Sequence, residues 1–223
     1  MERLDNNIRY LQIAFNNDLR TAMSLLSRIP NSDRILIEAG TPFIKLEGMD
    51  GVRALRRMWP GHLVADMKIA DGAIGEVDMA RRAGATAITI LGNAPTESHN
   101  LFIEHCEALN MLSMIDLVGV DHPLDVLRPL HKAPDVVVIH RGRDEENTAG
   151  KTIEYRQVNK IRSKFSSLIS AAGGVDLREA RSAIFNGANI VVANIVQPDD
   201  GWTGISTTDD ITAIAQQFLE TIS

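Results

Sequence analysis

The sequence predicts a single-domain (β/α)8 barrel spanning residues 1–223. Three observations carry that reading. Eight short runs rich in aliphatic and β-branched residues recur along the chain. These runs are continuous rather than alternating, as strands buried on both faces of a parallel sheet should be. Between them lie stretches with helical spacing, so strand and helix alternate with a period of about 25 residues, which suits βα units.

Taken in order, the expected strands are YLQIAF (Tyr10–Phe15), RILIEA (Arg34–Ala39), HLVADMK (His62–Lys68) and TAITIL (Thr86–Leu91). They continue with LSMIDLV (Leu112–Val118), DVVVIH (Asp135–His140), SLISAA (Ser167–Ala172) and NIVVAN (Asn189–Asn194). Helical spacing marks Asp18–Ile29, Gly51–Trp59, Ala73–Gly84, Thr96–Asn110 and Leu177–Gly187. Gly84 and Gly187 stand where a helix would end, each followed by alanine and a new apolar run. No Pro/Ser-rich linker divides the chain. A doubly wound open sheet is the competing architecture, but eight evenly spaced strands would make it unusually wide for this length. The chain is somewhat shorter than the ~250 residues typical of such barrels.

Composition narrows the function classes. With 223 residues, 44% of them hydrophobic and 23% charged, the chain is of ordinary globular type and long enough to bury a sizeable core. Acidic residues outnumber basic ones, 29 to 23, and no basic block occurs, which argues against a nucleic-acid partner. Cys106 is the single cysteine, excluding an internal disulfide and a CxxC metal site. The N-terminus has no apolar signal region and no run is long enough to span a membrane. A soluble, cytoplasmic protein is the expectation. Neither GxGxxG nor GxxxxGK[ST] is present, so the usual nucleotide signatures are missing.

In a barrel of this kind the chemistry lies at the C-terminal ends of the strands. Those ends carry Asn16, Glu38, Asp66 with Lys68, Asp116 and His140, where a purely structural strand would supply another aliphatic. Asp66 and Lys68 are two apart and share one side of their strand, and Asp71 follows in the loop before a helix. Flanking carboxylates keep a lysine protonated, which makes it a general acid or a fixed charge for a developing enolate oxygen. A structural ion pair is the plain alternative for Lys68, a helix N-cap for Asp71, and a satisfied core residue for His140. Inward Glu38 and Asp116, with few cations nearby, invite Mg²⁺.

Arg141 and Arg143 either grip an anionic substrate or pair with Asp144, Glu145 and Glu146 on a solvated loop. Gly173 and Gly174 expose backbone N–H groups at a helix start, an anion site unless they form only a tight turn. His62, His99, His105, His122 and His131 have no ligand spacing, and His99 and His105 are expected at the surface.

The stretches EAGTPFIKLEGMDGVRAL, LVADMKIADGAIGEVDMARRAGATAITILG, MIDLVGV and VVIHRGRDEE together resemble the orotidine 5′-phosphate decarboxylase superfamily. Within it they resemble the branch of 3-hexulose-6-phosphate synthase and 3-keto-L-gulonate-6-phosphate decarboxylase. The resemblance runs from about Leu11 to Asp200, and its most specific element is D-x-K-x-x-D, here Asp66, Lys68 and Asp71. It implies a (β/α)8 homodimer in which Asp71 reaches the partner's site. It also implies Mg²⁺ contacts at Glu38 and Asp66, an enediolate intermediate beside Lys68, and proton handling by His140 and Arg143. Asp116 follows the synthase pattern, while Arg143 resembles the decarboxylase.

The implied reaction is a Mg²⁺-dependent aldol joining of formaldehyde to ribulose 5-phosphate, or its reverse. Decarboxylation of a 3-keto sugar acid phosphate is the second expectation, and a diverged barrel that binds without turnover the third. Two places depart from the family pattern. Asn16 stands where the first strand usually ends in aspartate, and Ala193 and Asn194 replace a glycine and an arginine that help hold phosphate. Gly173 and Gly174 keep half of that phosphate site. The segment Gln197–Ser206 is long and polar enough to cap the mouth, with Trp202 as a lid residue or a dimer contact.

Overall fold

The computed structural model describes residues 3–148 and 152–223. Strand β1 (Tyr10–Phe15) leads to α1 (Leu19–Leu26), β2 (Ile35–Ala39) to α2 (Thr41–Met58), β3 (Leu63–Ile69) to α3 (Ala73–Ala83), and β4 (Ala87–Leu91) to α4 (Thr96–Ala108). The second half continues with β5 (Leu112–Asp116), α5 (Pro123–Leu127), β6 (Val136–His140), α6 (Arg143–Glu146) and α7 (Val158–Arg162). It ends with β7 (Leu168–Ala172), α8 (Leu177–Phe185), β8 (Ile190–Val196), the two-residue β9 (Ile205–Ser206) and α9 (Ile211–Thr221). All strand pairs are parallel, and β1 pairs with both β2 and β8, which closes the sheet into the expected (β/α)8 barrel.

Strand alternation sorts the core into two layers. Residues such as Ala14, Leu36, Val64, Met114, Val138 and Val192 fill the barrel interior. Their odd-parity neighbours Ile13, Ile37, Ala65, Ile115 and Ile139 pack against the helices. Both strand faces are therefore buried, the reason the runs read as continuous rather than alternating. Helix starts are fixed by side-chain caps: Asp18 accepts from the Thr21 N–H, Asp176 from Glu179 and Asp210 from Thr212. Gly84 and Gly187 end their helices with φ of 97° and 96°, a conformation open to glycine at little cost.

Three expectations need correction. Helix α2 begins at Thr41 rather than Gly51, with Pro42 in its first turn and a non-helical break at Gly48 (φ 61°) that splits the apolar periodicity. His99 is buried, not at the surface: its Nε2 meets the Leu91 carbonyl at 2.8 Å, tying α4 to the end of β4. His105 does lie partly exposed, paired with Asp78. The C-terminal α9 adds a helix that the helical stretches read from the sequence do not include. Among the described residues, no helix is long and apolar enough to cross a membrane.

The outer layer should dominate stability. Phe102, fully buried on α4, leaves a large cavity when truncated, and Phe102→Ala should cost about 3–5 kcal/mol. A urea titration should show that loss as a lower midpoint with an unchanged slope.

Candidate active site

The interior parity that fills the barrel with Val and Leu continues to its C-terminal end, and there the residue types change. Glu38 on β2, Asp66 on β3, Thr89 on β4, Asp116 on β5, His140 on β6 and Asn194 on β8 line one cavity of about 500 Å³. That volume is within the range of small-molecule sites. Glu38, Asp66 and Asp116 are all less than a tenth exposed. Buried carboxylates need partners, and the structure shows them.

Lys68 is the hub. Its Nζ donates to both oxygens of Asp66 at 3.0 Å and to Asp116 Oδ2 at 2.6 Å. The backbone reaches this arrangement by widening β3: the stretch from Ala65 to Ile69 lies against the shorter stretch from Ile88 to Ile90 on β4. Lys68 sits in that widening with φ 47°, unusual for a residue with a side chain, and its N–H donates to Thr89 Oγ1 at 2.9 Å. The Thr89 hydroxyl in turn donates to Asp66 Oδ1 at 2.8 Å, while the Thr41 hydroxyl donates to Asp66 Oδ2 at 2.7 Å.

The charges explain the proton affinities. Burial works against the Lys68 ammonium, but Asp66 and Asp116 outweigh it and hold its pKa above the ordinary lysine value. Burial likewise opposes ionisation of Asp116, yet His140 and Lys68 keep its carboxyl well below the usual range. His140 Nδ1 lies 2.9 Å from both Asp116 oxygens. Burial disfavours the imidazolium, and Asp116 more than compensates, so the ring's pKa is raised. Glu38 has no cation bound to it among the described residues. Burial first, and the Asp66 charge second, push it up to about 7, against the Gln12 side-chain N–H that it accepts.

Most of the sequence-predicted residues converge. Asn16, Glu38, Asp66, Lys68, Asp116, His140, Arg143, Gly173 and Asn194 line the cavity. Asn16 Nδ2 donates to Asn194 Oδ1 at 3.1 Å, so the two departures from the family pattern bond each other. Ala193 does not join them: strand alternation turns its methyl into the outer core. Gly174 lies behind Gly173, covered by Arg141 and Glu146. Asp71 is exposed and outside the cavity, and it is no helix cap either: Gly72 occupies that place, and Asp71 accepts the Gly72 N–H.

The cavity also holds Gln12, Thr41 and Thr89, which the sequence reading does not include. A glutamine and a threonine at inward positions of YLQIAF and TAITIL are the same signal that exposes Glu38. Among the described residues no three His, Cys, Asp or Glu side chains form a metal cage. Glu38 and Asp66 do fit a hard cation that also takes substrate oxygens. They are oxygen donors facing one cavity, and burial first, with the Asp66 charge second, raises the pKa of Glu38. The buried Gln12 Oε1 beside them has no hydrogen-bond partner among the described residues.

Known proteins resemble the chain along most of its length. The Bifunctional enzyme Fae/Hps of Methanothrix thermoacetophila is 36% identical over 212 residues, covering 94% of this chain and 52% of that protein. That of Archaeoglobus fulgidus is 37% identical over 188 residues, covering 82% and 47% respectively. The chain thus spans about half the length of the curated relatives it matches. A solved 3-hexulose-6-phosphate synthase superposes with a TM-score of 0.80 at 26% identity, over 96% of this chain and all of that one. The 3-keto-L-gulonate-6-phosphate decarboxylase of Vibrio cholerae shares the fold, with a TM-score of 0.75 at 24% identity over 97% and 98% of the two chains. The model of the orotidine 5′-phosphate decarboxylase / HUMPS family matches residues 9–194. That match runs from the start of β1 to the mouth end of β8, the span that supplies the cavity-facing strand ends, and the chain belongs to this family.

Proposed function

We propose that the protein is a Mg²⁺-dependent carbon–carbon lyase of the 3-hexulose-6-phosphate synthase type, joining formaldehyde to ribulose 5-phosphate or running the reverse reaction. The observation that carries this reading is Lys68, an ammonium held charged between Asp66 and Asp116 at the mouth of the barrel. Its relatives named Fae/Hps support the synthase.

Loss of a proton from C1 of the ketose gives an enediolate, which attacks the formaldehyde carbon; a C–C bond forms and the new alkoxide takes a proton. Lys68 stands where negative charge develops on the sugar oxygens, and it cannot serve as a base because its carboxylate neighbours keep it protonated. His140, oriented by Asp116 through Nδ1, handles the proton leaving C1 and the one gained by the new hydroxyl, and Arg143, a permanent cation that only donates hydrogen bonds, positions water or substrate oxygens beside it. Glu38 and Asp66 would hold Mg²⁺, which when bound supplies Lewis-acid charge to vicinal substrate oxygens. Decarboxylation of a 3-keto sugar acid phosphate is the second reading, favoured by Arg143 in the cavity wall. Both reactions generate the same kind of carbon nucleophile.

We further propose a homodimer in which Asp71 completes the partner's site. Two observations support it: Asp71 is exposed outside its own cavity, and Leu46, Ile74, Met79 and Leu101 leave apolar surface on the adjoining α2, α3 and α4. The reading places the protein in the cytoplasm, with sugar phosphates rather than nucleic acid as partners.

Proton NMR in deuterated water tests the reaction. With ribulose 5-phosphate and Mg²⁺, C1 should exchange, and formaldehyde should add a hexulose signal; a chelator should abolish both. Lys68→Ala should lower turnover by about 10²–10³-fold or more. Full activity in that variant would remove the catalytic assignment.

The pH response follows from the raised pKa of His140. Its ion pair with Asp116 contributes stability that is fully present below the ordinary histidine value of 6.5 and is lost as pH rises through the elevated folded value. Asp116→Asn removes the group that lifts the ring, so burial should return its titration to 6.5 or lower. Imidazole proton shifts read this directly, and identical titrations in the two proteins would contradict it.

Subunit complementation checks Asp71. Asp71→Asn and Lys68→Ala proteins, each inactive alone, should regain about a quarter of wild-type activity after equal mixing, since half the dimers are hybrid with one intact site each. No recovery after verified subunit exchange, or a monomer by sedimentation, rules out the shared site.

A further inference from the structure

The segment between β8 and β9 is neither a free loop nor part of the cavity wall. It is pinned at its ends by pairing of Ile195 with Ile205 and Val196 with Ser206. Within it, Gln197 N–H donates to Asp200 Oδ2 at 2.8 Å, and Asp200 N–H returns to the Gln197 carbonyl at 3.0 Å. Its tip, residues 201–203, meets α6 and the residue after it at three points. The Arg143 guanidinium stacks 4.1 Å from the centre of the Trp202 ring. The Thr203 N–H donates to Glu146 Oε1 at 2.6 Å. The Asn147 amide, oriented to satisfy both its ends, accepts from Trp202 Nε1 at 3.2 Å and donates to the Gly201 carbonyl at 3.3 Å.

Arg143 lines the cavity and Trp202 does not. The indole therefore stands behind the guanidinium, on the side away from the substrate. α6 is one turn long and has no buried residue; Glu145 Oε2 accepts the Gly142 N–H at 2.9 Å and ties down its start, while the contact the structure shows on the Arg143 guanidinium itself is the indole. We infer that Trp202 is a positioning residue: its ring face and the three flanking hydrogen bonds clamp α6 so that Arg143 stays aimed into the mouth. A planar guanidinium suits this role because it stacks on an aromatic face while leaving its in-plane N–H groups for the substrate. The inference rests on the reading of Arg143 as a hydrogen-bond donor that positions water or substrate oxygens in the proposed reaction.

Trp202→Ala and Trp202→Phe separate the alternatives. Loss of the ring should lower kcat by about tenfold or more while KM for the sugar phosphate moves by less than about threefold, and phenylalanine should restore most of the rate. A rise in KM alone, or equal losses in both variants, overturns the positioning role. Acrylamide quenching provides a measurement that needs no turnover. Trp59 is buried and supplies a constant background that Trp202→Phe defines. Arg143→Ala should make the Trp202 emission more accessible to the quencher, and unchanged quenching overturns the clamp. If the wild-type protein forms no product, the proposed reaction fails, while the quenching comparison still decides whether the clamp exists.

Discussion

The rest of the site depends on one constraint: three carboxylates held out of water must be balanced by a lysine and a histidine. Removing an ion from water costs several kcal/mol even after the protein relaxes, and here Lys68 touches both Asp66 and Asp116, His140 touches Asp116, and the Thr41 and Thr89 hydroxyls donate to Asp66. The closed barrel makes this balance possible. Strand ends around a ring face one another across a short distance, so residues far apart in sequence meet with no flexible loop between them. Lys68 reaches Asp116 across 48 positions of chain. Glu38 is the one of the three that no cation among the described residues touches, and burial together with the neighbouring Asp66 charge raises its pKa.

The geometry has a cost on β3. A lysine at φ 47° gives up about 1–2 kcal/mol of backbone preference. Three contacts offset it: the Lys68 N–H on Thr89, the Thr89 hydroxyl on Asp66, and the ammonium between two aspartates. The strain and the ion pairs belong to one device. The widening adds two residues to β3 against β4, an even number, so Ile69 keeps its place in the outer core.

The eight barrel strands are legible in the sequence because burial on both faces produces continuous apolar runs, and the strand boundaries need shifts of only one or two residues. Glu38, Asp66, Asp116 and His140 stand out for the same reason, as charges interrupting those runs. What the sequence conceals are features that depend on partners distant in the chain. The first half of α2 is hidden by the Gly48 break, and His99 by its single bond to a carbonyl on another element. Motif position alone puts Ala193 at the mouth, whereas strand parity turns its side chain outward. Parity is available in the sequence and outranks motif position when a side chain's direction is at issue.

The pair Asn16 and Asn194 shows how such a site can change without collapsing. Where the family pattern has an aspartate and an arginine, replacing only one would leave a lone charge in a half-buried cavity, the arrangement that costs most. Here both positions are amides and they bond each other. The net charge of that corner is thus unchanged, but a permanent cation near Gly173 is gone. Gly173 and the arginines of the β6 loop, Arg141 and Arg143, share the cavity wall with that amide pair. Strand ends supply the buried carboxylates of the cavity and the loop after β6 supplies its arginines, so the two sets of residues can vary separately on one barrel.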